Sequence, residues 1–117
     1  MNTKRFLSTL LAVTGGGLLI CFNQSALAAG NAERGKAKSV TCQACHGPIG
    51  NSENPAFPKL AGQYPSYLLH AMRAYASGER VNLIMQGMAA PLNDQDRQDL
   101  AAWFASQKGL NPLKGPL

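Results

Sequence analysis

The amino-acid sequence predicts an all-α fold. Apolar side chains recur at three- and four-residue intervals in two stretches of the 117-residue chain, near residues 65–77 and 94–107, which is the spacing of an amphipathic helix. No stretch alternates apolar and polar residues and no β-branched run occurs, so the sequence predicts no strand. The third observation is a cysteine and histidine motif at residues 42–46, around which such helices could be organised.

The first quarter of the chain has the pattern of a secretory signal peptide. Lys4 and Arg5 precede an uncharged stretch at residues 6–22, and the small residues Ala26 and Ala28 occupy the −3 and −1 positions of a cleavage site. We therefore expect export, with cleavage after about Ala28. The alternative is an uncleaved membrane anchor, for which a stretch of this length is marginal.

Cleavage would leave one small domain, residues 29–109, followed by a flexible tail at 110–117 that contains two prolines and a glycine. The two cysteines of this domain both lie in the motif, so no structural disulfide is available to it. A domain of this size buries little core by itself. Something other than a disulfide must supply the missing stability.

The first helix of the domain is expected from Asn31 to about Val40. Asn31 is a suitable N-cap, and Glu33 favours the positive end of the helix dipole. Gly35 inside this helix costs stability relative to alanine, and a close helix crossing or an ordinary surface position would each explain it. This helix leads the chain directly into the motif.

The motif is Cys42-Gln43-Ala44-Cys45-His46, which is typical of covalent haem attachment. Two cysteines one helical turn apart can form thioether bonds to one haem, and His46 is then presented to the iron as an axial ligand. The alternatives are a redox cysteine pair and half of a zinc site, for which His70 is the remaining histidine. A buried haem would also supply the core that the domain lacks, with three to five helices wrapped around it.

Residues 47–63 contain several prolines and glycines and no sustained periodicity, which predicts a long loop. Loops of this length in compact domains are usually functional. We expect this loop to cover the His46 side of the haem. A proline fixes the backbone while leaving its carbonyl free, and such a carbonyl could accept the outer N–H of the His46 imidazole, which would set its tautomer.

The next helix begins near Pro65 and ends near Gly78. Its apolar face is a wall of the haem pocket or a plain core face, and it consists of Tyr67, Leu68, Ala71, Met72 and Tyr75. Residues 79–92 are expected to be irregular and to carry Met85 and Met88. Methionine sulfur as the second axial ligand would raise the reduction potential, whereas a methionine that fills a core gap has no such role.

The last helix is expected from Asp94 to about Gln107, after an N-cap at Asn93. Its apolar stripe is formed by Leu100, Trp103 and Phe104. Without residues 1–28 the chain has nine basic and six acidic side chains, a mild excess of about +3. The basic residues nearest the motif would suit docking on an acidic partner, or are simply a solvated face: Arg34, Lys36, Lys38 and Lys59. No basic run or stacking pattern favours nucleic-acid binding.

The order of these features resembles the small bacterial class I cytochromes c, and in particular one half of the periplasmic dihaem cytochromes. The motifs that carry this resemblance are Cys-His-Gly-Pro, Asn-x-Pro-x-Phe-Pro-Lys-Leu-Ala-Gly-Gln, Tyr-Leu, Gly-Glu-Arg, Met-x-x-Met and Leu-x-Asp-Gln-Asp. They cover residues 31–108. The chain departs from the dihaem relatives in having one Cys-x-x-Cys-His motif, so electron transfer to a second haem would require another molecule.

The resemblance implies a class I cytochrome c fold with one haem c attached to Cys42 and Cys45. It implies His46 as the proximal ligand of the iron and Met85 as the distal one, with Met88 as the runner-up. It also implies that the carbonyl supporting His46 is that of Pro58, with Pro55 as the runner-up. Close packing of Gly35 in the first helix against Trp103 in the last helix is implied as well.

The function expected from this resemblance is one-electron transport in the periplasm between redox protein partners, with no enzymatic activity, because protein ligands would fill both axial positions. Membrane contact is expected only through partner complexes. One alternative is a haem protein with a labile methionine that binds a gas or peroxide. Another is a haem subunit tethered to a membrane complex by an uncleaved N-terminus.

Overall fold

A computed structural model describes residues 29–110 and contains five α-helices. The helices are α1 (Ala32–Lys38), α2 (Val40–His46), α3 (Pro65–Ser77), α4 (Leu83–Ala89) and α5 (Asp94–Ser106). The residues described contain no strand, and the predicted all-α class is confirmed. The expected signal peptide and residues 111–117 of the expected tail lie outside this range. Between residues 29 and 110, no helix is both long and apolar enough to cross a membrane.

The caps that the sequence predicts explain where the longer helices begin and end. The Asn93 side chain accepts a hydrogen bond from the backbone N–H of Asp96 (2.8 Å), and the Asp96 carboxylate accepts one from the N–H of Asn93 (3.3 Å), which completes a capping box. Pro65 opens α3. Gly78 ends it in the left-handed conformation at φ 82°, which a glycine adopts without strain.

The expected first helix is divided into two parts at Ser39. α1 ends at Lys38 and α2 begins at Val40, so the cysteine and histidine motif lies inside a helix of its own. The buried Ser39 hydroxyl donates to the carbonyl of Lys36 and accepts a hydrogen bond from Gln43 Nε2, both at 2.8 Å. This side chain joins the two short helices with almost no intervening loop.

The prediction of an irregular region at residues 79–92 is wrong for its central part, because residues 83–89 form α4. Gly87 and the nearby Pro91 suppress the helical pattern in the sequence, but Pro91 lies beyond the end of the helix. The Asn82 side chain caps α4 by accepting a hydrogen bond from the backbone N–H of Met85 (2.9 Å). Both methionines of this region therefore lie on one short helix.

α1 crosses α5 at Gly35, where the two backbones are in direct contact. A Cβ atom added at Gly35 would overlap the carbonyl oxygen of Asp99 and would lie 2.7 Å from the Cβ atom of Trp103. The close approach is possible because glycine has no side chain. Of the two explanations open for Gly35, the structure shows the close crossing.

A buried carboxylate reinforces this crossing. The Asp99 side chain of α5 is completely buried and accepts hydrogen bonds from the guanidinium of Arg34, the ammonium of Lys38 and the backbone N–H of Asn31 at 2.8 to 2.9 Å. Hydrogen bonds from Arg34 above all, together with those from Lys38, Asn31 and Gln95, hold the Asp99 pKa well below its usual range despite its desolvation. Asp99 thus ties the start of the domain to its last helix.

The protein core beside this crossing is small. Its buried cluster consists of Leu68 from α3 and Leu100, Ala101 and Phe104 from α5. Several large apolar side chains remain more than two-fifths exposed, among them Tyr67, Ile84 and Met88. Hydrophobic burial between the helices therefore supplies only part of the stability that a domain of this size needs.

Substitution of Gly35 tests the importance of the α1–α5 crossing. We expect Gly35→Ala to lower the free energy of unfolding by about 3 kcal/mol, because the new methyl group forces α1 away from α5. Gly87→Ala in α4 is the matched control, since a Cβ atom there has no neighbour within 4 Å. The control should leave stability unchanged or raise it by up to about 1 kcal/mol. Urea denaturation of the two variants measures both values, and equal values would contradict the close crossing.

The Asp99 cluster predicts a specific dependence of stability on pH. A depressed carboxyl pKa contributes stability at neutral pH, and this contribution is lost as the pH falls below the ordinary value of about 4. We expect Asp99→Asn to be clearly less stable than the wild type at pH 7, and the difference to shrink as the pH is lowered below 4. Glu53→Gln, at an exposed loop position, is the control. Denaturation curves at several pH values check this, and a constant difference would contradict it.

Candidate functional site

A cavity of about 420 Å³ lies between α2, the loop at residues 47–63, α3 and α4. Leu100 and Phe104 of α5 form part of its wall. The same two side chains belong to the buried core, so the cavity is continuous with the hydrophobic interior. It is the place where a large apolar group would complete the core.

Cys42, Cys45 and His46 all line this cavity because α2 presents them on neighbouring turns. The two cysteines are partly buried and form no disulfide. Burial raises the pKa of the Cys42 thiol, which disfavours the thiolate that a redox cysteine pair requires. The three side chains therefore border one cavity, and the environment of Cys42 is unlike that of a reactive thiol.

The imidazole of His46 is buried and held in one orientation. Its Nδ1 atom lies 2.8 Å from the carbonyl oxygen of Pro58, and its ring lies 6.3 Å from that of Phe57 between centroids, with the two planes inclined by 69°. When Nδ1–H donates to this carbonyl, Nε2 is left as the ring atom that can bind a metal. Of the two prolines considered from the sequence, Pro58 is the one whose carbonyl faces His46.

The loop brings Pro58 to His46 by folding back on itself. The carbonyl of Gly50 accepts hydrogen bonds from the backbone N–H groups of Leu60 (2.7 Å) and Ala61 (3.1 Å). Gly50 has φ 84°, and a Cβ atom there would lie 2.8 Å from the Phe104 ring, so a glycine is required on both counts. The segment containing Phe57 and Pro58 is consequently closed over α2.

The apolar face of α3 is a wall of the cavity. All five of its residues named from the sequence line the cavity, and two of them also pack in the core, so the face serves both purposes: Tyr67, Leu68, Ala71, Met72 and Tyr75. His70 is exposed and lies outside the lining, so it does not join the cysteines as a ligand. Among residues 29–110, no cluster of three or more His, Cys, Asp or Glu side chains could hold a metal ion, which leaves the zinc interpretation without support.

Both methionines of α4 border the cavity, but they differ in exposure. Met85 is partly buried, whereas Met88 is 51% exposed. Met85 lies in the first turn of α4, where the Asn82 cap fixes its backbone N–H. The cavity is thus bordered by one buried imidazole and by two thioether side chains that the same short helix carries.

Two cationic side chains border the cavity, although neither was among the site residues expected from the sequence. Arg80 and Lys59 both line it, and the Arg80 guanidinium lies 4.8 Å from the centroid of the Tyr75 ring. Neither forms an ion pair with a carboxylate among the residues described. A haem carries two carboxylates, and these cations would suit them. The Gly-Glu-Arg motif before α4 was the only sequence signal for Arg80.

Two of the basic residues considered for docking have structural partners instead. Arg34 and Lys38 are paired with Asp99, and Lys38 also lies 2.6 Å from the Asp96 carboxylate. Lys36 lies over the Trp103 ring at 5.6 Å. Lys59 is the one of the four that borders the cavity. The positive charge near the site is therefore smaller than the sequence suggests.

Comparison with known proteins agrees with this geometry. The family model described as "Cytochrome c" matches residues 32–108, which is more than half of the chain. A cytochrome c4 of Pseudomonas aeruginosa is 54% identical over 81 residues, and the match covers 69% of this chain and 40% of that protein. The cytochrome c-554(548) of Halomonas halodenitrificans is 41% identical over 83 residues, and its whole length is matched by 68% of this chain.

Among solved structures, the chain is similar to the reduced recombinant cytochrome c4 from Pseudomonas stutzeri, with a TM-score of 0.67 and 48% sequence identity. That match covers 70% of this chain and 48% of the other. The chain therefore spans less than half of the matched cytochrome c4 proteins, in agreement with the resemblance to one half of such a protein.

Proposed function

This chain belongs to the cytochrome c family, and on that basis we propose that it is a periplasmic electron carrier with one haem. The family implies a covalently bound haem c. Cys42 and Cys45 would hold it by thioether bonds, and His46 would bind its iron through Nε2. The bound group supplies one-electron redox chemistry, and the residues of the chain hold it, exclude water from it and set its potential.

The observation that carries this proposal is that His46 and the α4 methionines border one cavity. Imidazole and thioether together would occupy both axial positions of the iron, which leaves no position for a substrate. A thioether ligand favours ferrous iron and so raises the reduction potential. The hydrogen bond between His46 Nδ1 and Pro58 would hold the imidazole on the iron in both oxidation states.

We assign Met85 as the axial methionine and keep Met88 as the runner-up. A ligand must direct its sulfur into the cavity and away from water, and the partial burial of Met85 agrees with this requirement better than the exposure of Met88. The Asn82 cap also restrains the backbone at Met85. The exposed side chain of Met88 would instead contribute to the rim of the cavity.

Electrons would leave through the rim where apolar side chains are both exposed and part of the cavity lining, namely Tyr67, Ile84 and Met88. A small contact of this kind suits the weak, short-lived complexes of electron transfer. Lys59 and Arg80 would face the haem carboxylates, and the mild excess of basic over acidic side chains in the domain as a whole would favour acidic surfaces on the donor and acceptor. Because the chain spans only part of the cytochrome c4 proteins, the identity of these partners is itself part of the proposal.

The single-haem and periplasmic parts of the proposal rest on the sequence. It contains one Cys-x-x-Cys-His motif, and residues 1–28 have the pattern of a cleaved signal peptide. Export would bring the cysteines to the compartment where haem attachment occurs. The haem domain would then correspond to residues 29–109.

Replacing the two methionines one at a time tests the ligand assignment. We expect Met85→Ala to abolish the near-infrared methionine band of the oxidised protein and to lower its reduction potential, because the iron loses its thioether ligand. Met88→Ala is the matched control on the same helix and should leave the band in place. Absorption spectroscopy and redox titration measure both effects.

The opposite pattern, with the band lost only in Met88→Ala, would make Met88 the ligand.

Carbon monoxide provides a separate test of the electron-carrier assignment. We expect the ferrous wild type not to bind carbon monoxide at neutral pH, since both axial positions are filled. Binding by the wild type would favour a haem protein with a labile methionine that takes up a gas.

The intact mass of the exported protein tests the single haem and the cleavage site together. We expect the mass of residues 29–117 plus one haem, bound covalently and therefore retained under denaturing conditions. A mass that retains residues 1–28 would favour a membrane-tethered subunit. A mass without haem would contradict the attachment site.

A further inference from the structure

Arg97 of α5 makes a contact that the haem site itself does not explain. Its guanidinium is largely buried, with the side chain 13% exposed. Nη1 donates to the carboxylate of Asp94 (3.0 Å), and Nη2 donates to the backbone carbonyl of Ala89 (3.2 Å). Ala89 is the last residue of α4, so Arg97 connects α5 to the end of the methionine-bearing helix.

The carboxylate of Asp94 is shared with a second guanidinium. Arg73 of α3 donates to it through both Nε and Nη2, at 3.2 and 3.1 Å. Asp94 therefore lies between cations from α3 and α5, and these hydrogen bonds lower its pKa. Arg73 and Arg97 differ in one respect: Arg97 also binds the backbone of α4.

The position of Arg97 is defined by its two Nη groups. Its Nε atom is buried and has no hydrogen-bond partner among residues 29–110. A buried donor without a partner is unfavourable, so the side chain is held here by the bonds to Asp94 and Ala89 in spite of that cost. A side chain that served only to pair with Asp94 could do so from a more exposed position, as Arg73 does.

α4 packs along α3, but apart from the Arg97 bond it has little contact with α5. Of its seven residues, all within the described range, Ala89 alone is buried. The Asn82 cap stabilises the helix internally but does not anchor it to α5. The bond from Arg97 thus holds α4 at its buried end, four residues after Met85 and next to Met88.

We propose that Arg97 is a positioning residue for the iron ligand: its hydrogen bond to the Ala89 carbonyl keeps α4 seated at the cavity, and so keeps the methionine bound to the iron. This inference rests on the proposed function, because it requires a methionine ligand on α4. It holds for either Met85 or Met88, since both are carried by the same helix. The hydrogen bond favours the state in which α4 packs at the cavity over a state in which α4 has moved away from it.

This equilibrium can be measured with an external ligand. Imidazole binds ferric haem only when the methionine has left. Its apparent affinity is therefore its intrinsic affinity multiplied by the small fraction of molecules in which α4 is displaced. Loss of the Arg97 bond raises that fraction. A hydrogen bond from a charged donor is strong enough to change the equilibrium constant about tenfold.

The experiment compares Arg97→Gln with Arg73→Gln in the full-length haem-loaded protein. Each variant removes one guanidinium from Asp94, but only Arg97→Gln removes the bond to α4. We expect Arg97→Gln to raise the apparent affinity for imidazole about tenfold and to weaken the near-infrared methionine band, and Arg73→Gln to stay within about twofold of the wild type. Equal shifts in the two variants, or no shift in either, would overturn the proposal.

Arg97→Lys is the second variant, and it remains informative if Arg97→Gln does not fold. Lysine keeps the positive charge beside Asp94, but its single ammonium nitrogen would have to reach both Asp94 and Ala89, where Arg97 uses two separate Nη atoms. We expect it to raise the affinity for imidazole as well, by a smaller factor. Wild-type affinity in Arg97→Lys would show that the charge alone matters and would overturn the proposal.

The wild type separates this inference from the proposed function. If its oxidised form lacks the methionine band, the assigned ligand is wrong and both proposals are overturned. If the band is present and Arg97→Gln leaves both the band and the imidazole affinity unchanged, the electron-carrier proposal stands and the role of Arg97 is overturned.

Discussion

The crossing of α1 over α5 is the contact on which the position of the haem attachment site depends. The missing side chain of Gly35 lets the backbones touch, and the buried carboxylate of Asp99 binds cations and a backbone N–H from the start of the domain. Because Ser39 joins α2 to α1 with almost no loop, fixing α1 also fixes the cysteines and His46. Electrostatic and steric contacts between residues more than 60 positions apart in sequence thus place the motif against the last helix.

The haem would then act as the centre of the core. The protein itself buries few large apolar side chains, and the cavity beside Leu100 and Phe104 is bordered by apolar groups from four helices. Covalent attachment suits such a domain, since a thioether-bound group cannot dissociate when the small core opens. The same arrangement would serve electron transfer, because the surrounding helices would exclude water from the group while the exposed rim would leave one edge of it accessible.

Different kinds of contact restrain the histidine side and the methionine side of the cavity. His46 is restrained by the Pro58 carbonyl and by attachment within α2, and the loop that carries Pro58 is closed through Gly50. α4 is a short helix with one buried residue, and its buried end is bound by Arg97. The histidine side is therefore fixed by hydrogen bonds and by the loop, whereas the methionine side depends on the packing of α4 along α3 and on the Arg97 bond.

The sequence by itself determined the helical class, the cysteine and histidine motif, the loop with its prolines and the cap at Asn93, because each depends on residues close together in the chain. It also identified the α3 face, although only the structure showed that this face lines a cavity. It missed α4, where Gly87 hides the helical pattern, and it placed Arg34 and Lys38 on a docking surface or a solvated face, whereas both are paired with Asp99. Tertiary structure decided the Asp99 cluster, the choice of Pro58 and the Arg97 contact, because each joins groups whose meeting depends on how the helices pack.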